Sequence, residues 1–275
     1  MKGVVVKVLA GVFTVRTKNG IYECTVRGKL KLDDYPVVGD FVTLEESNSH
    51  WVIKEILPRK NLLDRPRIAN VDQLFIFMSS TAPEPNNYLI DRLSVLGECW
   101  QLETVIGFNK TDLKKSDLAD IYRSIGYKVF EFSLAKDQDL SEITNLLNGK
   151  TTVLAGPSGV GKTTFINKLL GEDRETAPVS EKTRRGRHTT RVVELLALPN
   201  SGYIADTPGF SRLDVFIDNS SQLADYFLET KGTTCRFQDC LHLKEPGCNV
   251  RENMPEIRYE SYVKLLKEIE EMRPW

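Results

Sequence analysis

The strongest constraint on the fold is a glycine-rich segment, GPSGVGKT at residues 156–163, which lies between a strand pattern and a helix pattern. The apolar run before it ends at Ala155, and an amphipathic pattern continues after it to Leu170. A strand, this loop and a helix in that order predict a P-loop, because the glycines let the backbone wrap phosphates and the helix N-terminus directs NH groups at them. An unrelated glycine-rich turn is the alternative, but all three elements agree. The predicted phosphate-binding residues are Gly156, Pro157, Ser158, Gly159, Val160, Gly161, Lys162, Thr163 and Thr164.

Two further features assign roles around the phosphates. Lys162 should reach the β- and γ-phosphates, and Thr163 should ligate Mg²⁺. The sequence DTPG from Asp206 to Gly209 follows a short strand pattern at residues 203–205. Its position predicts that the Asp206 carboxylate lies beside the magnesium and that the Gly209 NH lies near the γ-phosphate.

The sequence NKTD, from Asn109 to Asp112, predicts the choice of base. The Asp112 carboxylate can accept hydrogen bonds from N1-H and the N2 amino group of guanine, whereas adenine offers an acceptor at N1 and lacks that amino group. An unpaired buried carboxylate costs about 1–3 kcal/mol or more, so ATP should bind poorly. We expect Asn109 to tie the loop together and Lys110 to lie along the base.

Alternating strand and helix patterns after Val71 predict a parallel sheet covered on both faces, with six strands in all. The guanine motif precedes the P-loop, whereas in Ras-like proteins it comes last, so the domain is circularly permuted. The predicted fold is a multidomain α/β protein with a β-barrel at residues 1–63, a permuted six-stranded P-loop GTPase domain at residues 64–212 and a zinc-binding α-helical module at residues 213–275. The six strands are predicted at Val71–Met78, Thr104–Phe108, Lys128–Phe132, Thr152–Ala155, Val192–Leu198 and Tyr203–Ala205.

The first 63 residues contain five short β-rich runs and no helix pattern, which favours a small closed barrel such as an OB-fold. Asn19-Gly20 predicts a tight hairpin turn. Ten lysines and arginines against seven acidic residues leave this segment slightly basic, compatible with an RNA surface or with a structural barrel. The start of the chain resembles a signal peptide, but Lys7 interrupts it and the β pattern continues. The predicted strands are Val4–Leu9, Val12–Thr17, Ile21–Val26, Phe41–Leu44 and Trp51–Ile56.

Late in the chain, Cys235, Cys240, His242 and Cys248 provide three thiolates and an imidazole, which suit tetrahedral Zn²⁺. Four protein ligands predict one structural ion. The other two cysteines, Cys24 and Cys99, are interpreted as small buried hydrophobic residues. A C-terminal amphipathic helix should bury its apolar positions, which are Leu265, Leu266, Ile269 and Met272.

The most basic segment, residues 182–191, lies where a GTPase has its first switch. Thr189 or Thr190 should cap the magnesium there, and Thr190 is favoured. A solvated loop is the alternative. The glutamine that positions water in Ras-like enzymes is replaced by Phe210, so another residue must act. His188 is the candidate catalytic residue, although a lone histidine is often structural or contacts RNA.

Over nearly its whole length the chain closely resembles the ribosome small subunit-dependent GTPase A (RsgA/YjeQ) family. The resemblance implies an OB-fold, a permuted GTPase domain and a zinc domain with the same ligand pattern. It also implies a catalytic role for His188 and a base-contacting loop at Ser133, Leu134 and Ala135, where Leu134 departs from the usual small polar residue. The implied partners are GTP or GDP, the small (30S) ribosomal subunit and its 16S rRNA, and the implied role is late subunit maturation with hydrolysis stimulated by the subunit.

Composition narrows the classes of protein that remain. A net charge of −1 and 41% hydrophobic residues exclude a disordered chain. No apolar run approaches the roughly 20 residues that span a bilayer, which excludes a membrane helix. Five cysteines, three of them clustered late with a histidine, fit a reducing cytoplasm. We also expect a monomer with no membrane partner. Two alternatives to a GTP hydrolase stay open: an RNA-binding protein with a purely structural nucleotide, and a P-loop kinase of small molecules. The kinase leaves the guanine motif unexplained. The segment after Gly209, which is the second switch of a GTPase, leads directly into the zinc module. Loss of the γ-phosphate should therefore reorient that module.

Overall fold

The structure is a computed structural model that describes residues 1–26, 35–47, 50–64, 66–136, 139–171, 193–199, 201–206, 215, 217 and 219–272. These residues form thirteen β-strands and six α-helices, which group into two compact units. The first unit comprises Met1–Gln73, Asp139–Leu154 and Lys162–Phe210. The second comprises Leu74–Gln138, Ala155–Gly161 and Ser211–Trp275. The three-domain division stays a prediction.

A closed five-stranded barrel opens the first unit, and its strands confirm the five predicted from the sequence. The order around it is β1-β2-β3-β5-β4, and β4 pairs with β1 to close the ring. All these pairings are antiparallel except that of β3 with β5, which is parallel. The strands are β1 (Lys2–Leu9), β2 (Val12–Thr17), β3 (Gly20–Val26), β4 (Phe41–Ser47) and β5 (His50–Ile56).

Alternate side chains of these strands fill the barrel, as the period of two predicts. The buried cluster consists of Val5, Phe13, Val15, Cys24, Val42, Leu44 and Ile53. Cys24 is therefore a core residue, as expected. The predicted Asn19-Gly20 turn is wrong by one residue. Gly20 pairs with Thr17, so the two turn residues are Lys18 and Asn19, and the Asn19 NH donates to the Thr17 hydroxyl at 3.1 Å.

A buried ion pair follows the barrel. The Arg59 guanidinium donates to both carboxylate oxygens of Asp40, at 2.6 and 2.7 Å, and Asp40 is fully buried. The Val37 NH donates to the same carboxylate at 2.7 Å. The adjoining hairpin consists of β6 (Leu62–Asp64) and β7 (Arg67–Ala69).

The rest of the first unit belongs to the predicted α/β region. Strand β11 pairs in parallel with β13, and β12 pairs antiparallel with both β13 and β1. The barrel and these strands therefore share one continuous sheet. The elements are α3 (Ser141–Leu147), β11 (Thr151–Ala155), α4 (Lys162–Leu170), β12 (Glu194–Ala197) and β13 (Tyr203–Asp206).

In the second unit, three neighbouring strands carry helices between them. Gly126 ends α2 in the left-handed conformation with φ of 111°, which glycine adopts readily at a helix C-terminus. With β11, β12 and β13 of the first unit, these strands confirm the predicted number of six. The elements are β8 (Gln73–Ser79), α1 (Asn87–Cys99), β9 (Glu103–Asn109), α2 (Asp117–Ile125) and β10 (Lys128–Glu131).

The last part of the second unit contains two short 3₁₀ helices, then α5 (Asn249–Asn253) and α6 (Glu256–Glu271). Three of the predicted apolar positions of α6 are buried, namely Leu265, Leu266 and Ile269. Met272 is 38% exposed, against the prediction, because it lies at the C-cap where the helix ends. Among the helices that the structure describes, none combines the length and apolar character needed to cross a membrane.

Candidate guanine-nucleotide site and zinc centre

The guanine motif and the P-loop meet in the second unit. Asn109 is the last residue of β9 and is 3% exposed. Its side-chain amide donates to the carbonyl of Val160 at 2.8 Å, and its side-chain oxygen accepts from the backbone NH groups of Lys110, at 2.8 Å, and Leu134, at 3.1 Å. One side chain therefore joins the P-loop, the guanine motif and the loop after β10.

Two P-loop glycines are required by close contacts. A Cβ at Gly156, where φ is 151°, would lie 2.0 Å from the carbonyl oxygen of Phe77. At Gly161, where φ is 107°, it would lie 2.5 Å from the Asn109 side-chain nitrogen. Any larger residue at either position would push the P-loop away from the strands that support it.

The side chains of the guanine motif are held in place by their neighbours. The Lys110 ammonium donates to the carbonyls of Gly159, at 3.0 Å, and Ala82. The Ser133 hydroxyl donates to the Asp112 carboxylate at 2.5 Å. Leu134, the departure from the usual small polar residue, is buried beside Gly161, so it packs under the P-loop.

The first unit contains four further predicted phosphate and magnesium residues, namely Lys162, Thr163, Thr164 and Asp206. Helix α4 begins at Lys162, directly after the P-loop, and Thr163 and Thr164 are exposed in its first turn. The backbone of Asp206, at the end of β13, pairs in register with Leu154 of β11. The carboxyl ends of β11 and β13 therefore lie side by side. Gly209, Phe210 and the predicted switch residues His188, Thr189 and Thr190 lie outside the described residues.

The four predicted zinc ligands converge in the second unit. Their ligand atoms all lie within 4.8 Å of one another. The Cys235 and Cys248 sulfurs are 4.0 Å apart, and the His242 Nδ1 lies 3.5 and 3.4 Å from them. A tetrahedral Zn²⁺ with Zn–S distances of about 2.3 Å and a Zn–N distance of about 2.0 Å requires edges of about 3.5–3.8 Å. The donor set and its spacing therefore fit zinc.

Hydrogen bonds beyond the ligands fix the zinc loop. The Glu245 carboxylate accepts from the backbone NH groups of Leu241, Leu243 and Lys244 at 2.8–2.9 Å. Burial raises the pKa of Glu245, but these hydrogen bonds outweigh it and hold the pKa below its ordinary value. Burial lowers the pKa of His242, which favours the neutral imidazole that a metal ligand needs.

A buried charge cluster in the second unit, between α1 and α6, was not predicted from the sequence. Arg258 is fully buried and donates to Asp91 at 2.5 Å and to both carboxylate oxygens of Glu229 at 2.7 and 2.9 Å. The guanidinium lies 4.7 Å from the ring centre of Phe227, and the Tyr122 hydroxyl donates to Asp91. The cluster joins the helix that follows β8 to the C-terminal helix beside the zinc loop.

Comparison with known proteins agrees with this geometry. The family model of the RsgA GTPase matches residues 56–216, and that of the RsgA N-terminal domain matches residues 2–51. Two proteins named small ribosomal subunit biogenesis GTPase RsgA are similar over their whole length. The one from Carboxydothermus hydrogenoformans is 46% identical, covering 98% of both chains, and the one from Alkaliphilus metalliredigens is 40% identical, covering 99% of both.

Solved structures show the same fold. The crystal structure of YjeQ from Thermotoga maritima matches with a TM-score of 0.82 at 33% identity, covering 99% of both chains. That of YloQ, described as a circularly permuted GTPase, matches with a TM-score of 0.80 at 32% identity, covering all of this chain and 96% of the other. On its motifs, its fold and these matches, the chain belongs to the RsgA family of circularly permuted GTPases.

Proposed function

We propose that this protein hydrolyses GTP on the small ribosomal subunit and assists late maturation of that subunit. The proposal is supported by relatives that are named small ribosomal subunit biogenesis GTPases. The observation that carries the proposal is the Asn109 side chain, which joins the guanine motif to Val160 of the P-loop. The two loops lie far apart in sequence and in reversed order. A single nucleotide can contact both only if they are held together in this way.

Guanine would be read by Asp112 and the loop after β10. The Ser133 hydrogen bond orients the Asp112 carboxylate, which would accept hydrogen bonds from the N1-H and N2 amino groups of the base. Backbone NH groups of the loop from Ser133 to Ala135 would donate to O6. Lys110, tethered to Gly159, would cover the face of the base.

The phosphates would lie in the NH groups of residues 156–164, at the start of α4. Lys162 would contact the β- and γ-phosphates, and the Gly209 NH would contact the γ-phosphate. Thr163, Thr190 and Asp206 supply the hard oxygen donors that Mg²⁺ prefers, and the register of β13 against β11 puts the backbone of Asp206 beside the strand that leads into the P-loop. When bound, the ion would neutralise charge that develops on the phosphates.

The attacking water needs a residue to orient it, and Phe210 has no group that can do so. We assign this role to His188, in the basic first switch. Basal turnover should be slow until the subunit orders that switch. Cys235, Cys240, His242 and Cys248 would together hold a zinc ion with no open position, so that the ion would be structural. We further propose that the protein acts as a cytoplasmic monomer and contacts 16S rRNA.

The test is turnover of GTP and of ATP, each with and without purified small subunits. We expect GTP turnover to rise on addition of the subunits and ATP turnover to stay at background. Equal turnover of both nucleotides would refute guanine selection. Tight GTP binding with no phosphate release, even with subunits, would favour the RNA-binding protein with a structural nucleotide.

A further inference from the structure

A cavity of about 510 Å³ lies in the first unit, between the outside of the barrel and the hairpin of β12 and β13. Its volume is in the range of sites that take small organic ligands. Neither the guanine-nucleotide residues nor the zinc ligands line it. Aromatic, aliphatic and basic side chains are among those that line it.

The floor is a row of side chains across three barrel strands. Val4 of β1 pairs with Arg16 of β2 on one side and with Phe41 of β4 on the other. Directly paired residues of a sheet point to the same face, and Val5, the next residue along β1, is in the core. The row therefore faces outward, and Phe41 is 44% exposed. From the hairpin, Tyr203 forms the facing wall.

The charged side chains among the described lining residues are all basic. Lys2, Arg16 and Lys18 line the cavity and are exposed, and none of the described lining residues is acidic. Arg16 also lies close enough to Tyr203 to lower the pKa of that phenol, although burial has the larger effect and raises it. Arg16 and Tyr203 both line the cavity, so a bound base could contact the ring and the guanidinium together.

We propose that this cavity binds one unpaired nucleotide of RNA, with its base on Phe41 and Tyr203 and its phosphates on Lys2, Arg16 and Lys18. Unpaired bases are the parts of RNA that can be splayed out and stacked on aromatic rings, whereas a duplex keeps its bases inside. An acidic peptide would satisfy the cations but would leave the aromatic walls without a stacking partner. The inference deepens the proposed function, on which it rests, by assigning a part of the chain to subunit RNA.

The position of the cavity gives RNA binding a route to the nucleotide site. Tyr203 is the first residue of β13, and Asp206, a predicted magnesium ligand, is the last. Both ends of this strand are in the first unit. An RNA nucleotide bound against Tyr203 would thus contact the strand that ends at Asp206.

The test is fluorescence anisotropy of a labelled single-stranded oligouridylate with the full-length, zinc-loaded protein, saturated with GDP and Mg²⁺ so that the guanine site is filled. Phe41→Ala should weaken binding about 5- to 150-fold, the loss expected for one stacked base. Arg16→Glu should weaken it at least as much and should reduce the slope of log K against log salt by about 0.7 or more.

The matched controls are Leu9→Ala, an exposed apolar barrel residue at the far end of β1, and Arg67→Glu, an exposed arginine of β7, neither of which lines the cavity. Both should change affinity less than twofold. Cavity variants no weaker than their controls would overturn the inference, as would an oligoglutamate peptide that competes as well as RNA. All four variants should keep the thermal stability and intrinsic GTP turnover of the parent protein. GTP turnover that is not stimulated by small subunits would instead refute the proposed function. Oligouridylate binding tests the cavity independently of that result.

Discussion

Replacement of Arg258 by methionine should be among the most damaging single substitutions in the second unit. Methionine fills a similar volume but leaves Asp91 and Glu229 facing each other without a cation, and Asp91 is fully buried. Breaking a buried ion pair in this way costs about 3–5 kcal/mol. Loss of the contact with the Phe227 ring, 4.7 Å away, adds up to about 2 kcal/mol. The expected loss is therefore about 5 kcal/mol, comparable to the whole stability of a small domain.

Native-state hydrogen exchange of the amides in α1 and α6 measures this loss directly, because a chain with two compact units need not unfold in one step. Arg123→Met is the matched control, since the Arg123 side chain is 46% exposed and pairs with Asp120 and Glu131 at the surface. We expect the control to cost less than about 1 kcal/mol. A loss in Arg258→Met no larger than in this control would refute the reasoning.

The same variant should respond to pH. Burial raises the pKa of Asp91, and Arg258 opposes that rise in the parent protein. A carboxyl whose pKa is higher in the folded than in the unfolded state destabilises the fold as pH rises through the folded value. Without Arg258 the opposition to this rise in the pKa of Asp91 is lost. The stability lost in Arg258→Met should therefore shrink as pH falls from about 8 to about 5. A deficit that grows over this range would contradict the assignment.

Three further outcomes follow from the two sites. Asn109→Ala should weaken GTP binding by about 1–3 kcal/mol, measured by calorimetry, because the Val160 and Leu134 contacts are lost together; unchanged affinity would contradict the role of Asn109. His188→Ala should lower kcat while nearly sparing GTP affinity, measured by steady-state turnover; unchanged kcat would exclude a catalytic role. Cys240→Ser should reduce bound zinc from one per chain, measured by a metal-release assay, and lower the thermal midpoint; full zinc retention would contradict four-ligand binding.

The elements that the sequence predicted well are those set by local patterns. Apolar patterns with a period of two predicted all five barrel strands. Motifs with fixed spacing predicted the P-loop, the guanine motif and the zinc ligands. Each depends on residues within a short stretch of chain, where the backbone geometry follows from the residue types themselves.

What the sequence could not predict depends on distant pairings. Asp91 and Arg258 are separated by 167 positions, and each by itself is typical of a solvated helix face. Asp91 is buried within α1, although no local pattern distinguishes it from an exposed residue of the same helix. A closed barrel was expected, but the pairing of β1 with β4 and of β1 with β12 joins distant residues, and no spacing rule identifies these strand partners.

The claim on which the account depends is that Asp112 and the P-loop bind the same guanine nucleotide. Asp112→Asn replaces a carboxylate, which accepts a hydrogen bond from the N2 amino group of guanine, by an amide. The amide can also donate a hydrogen bond to the O2 carbonyl of xanthine. Steady-state turnover of GTP and of xanthosine triphosphate by this variant is the most direct measurement. We predict that kcat/KM for GTP falls by about 100-fold or more and that xanthosine triphosphate becomes the preferred substrate. Undiminished GTP turnover, with no gain for xanthosine triphosphate, would contradict the account.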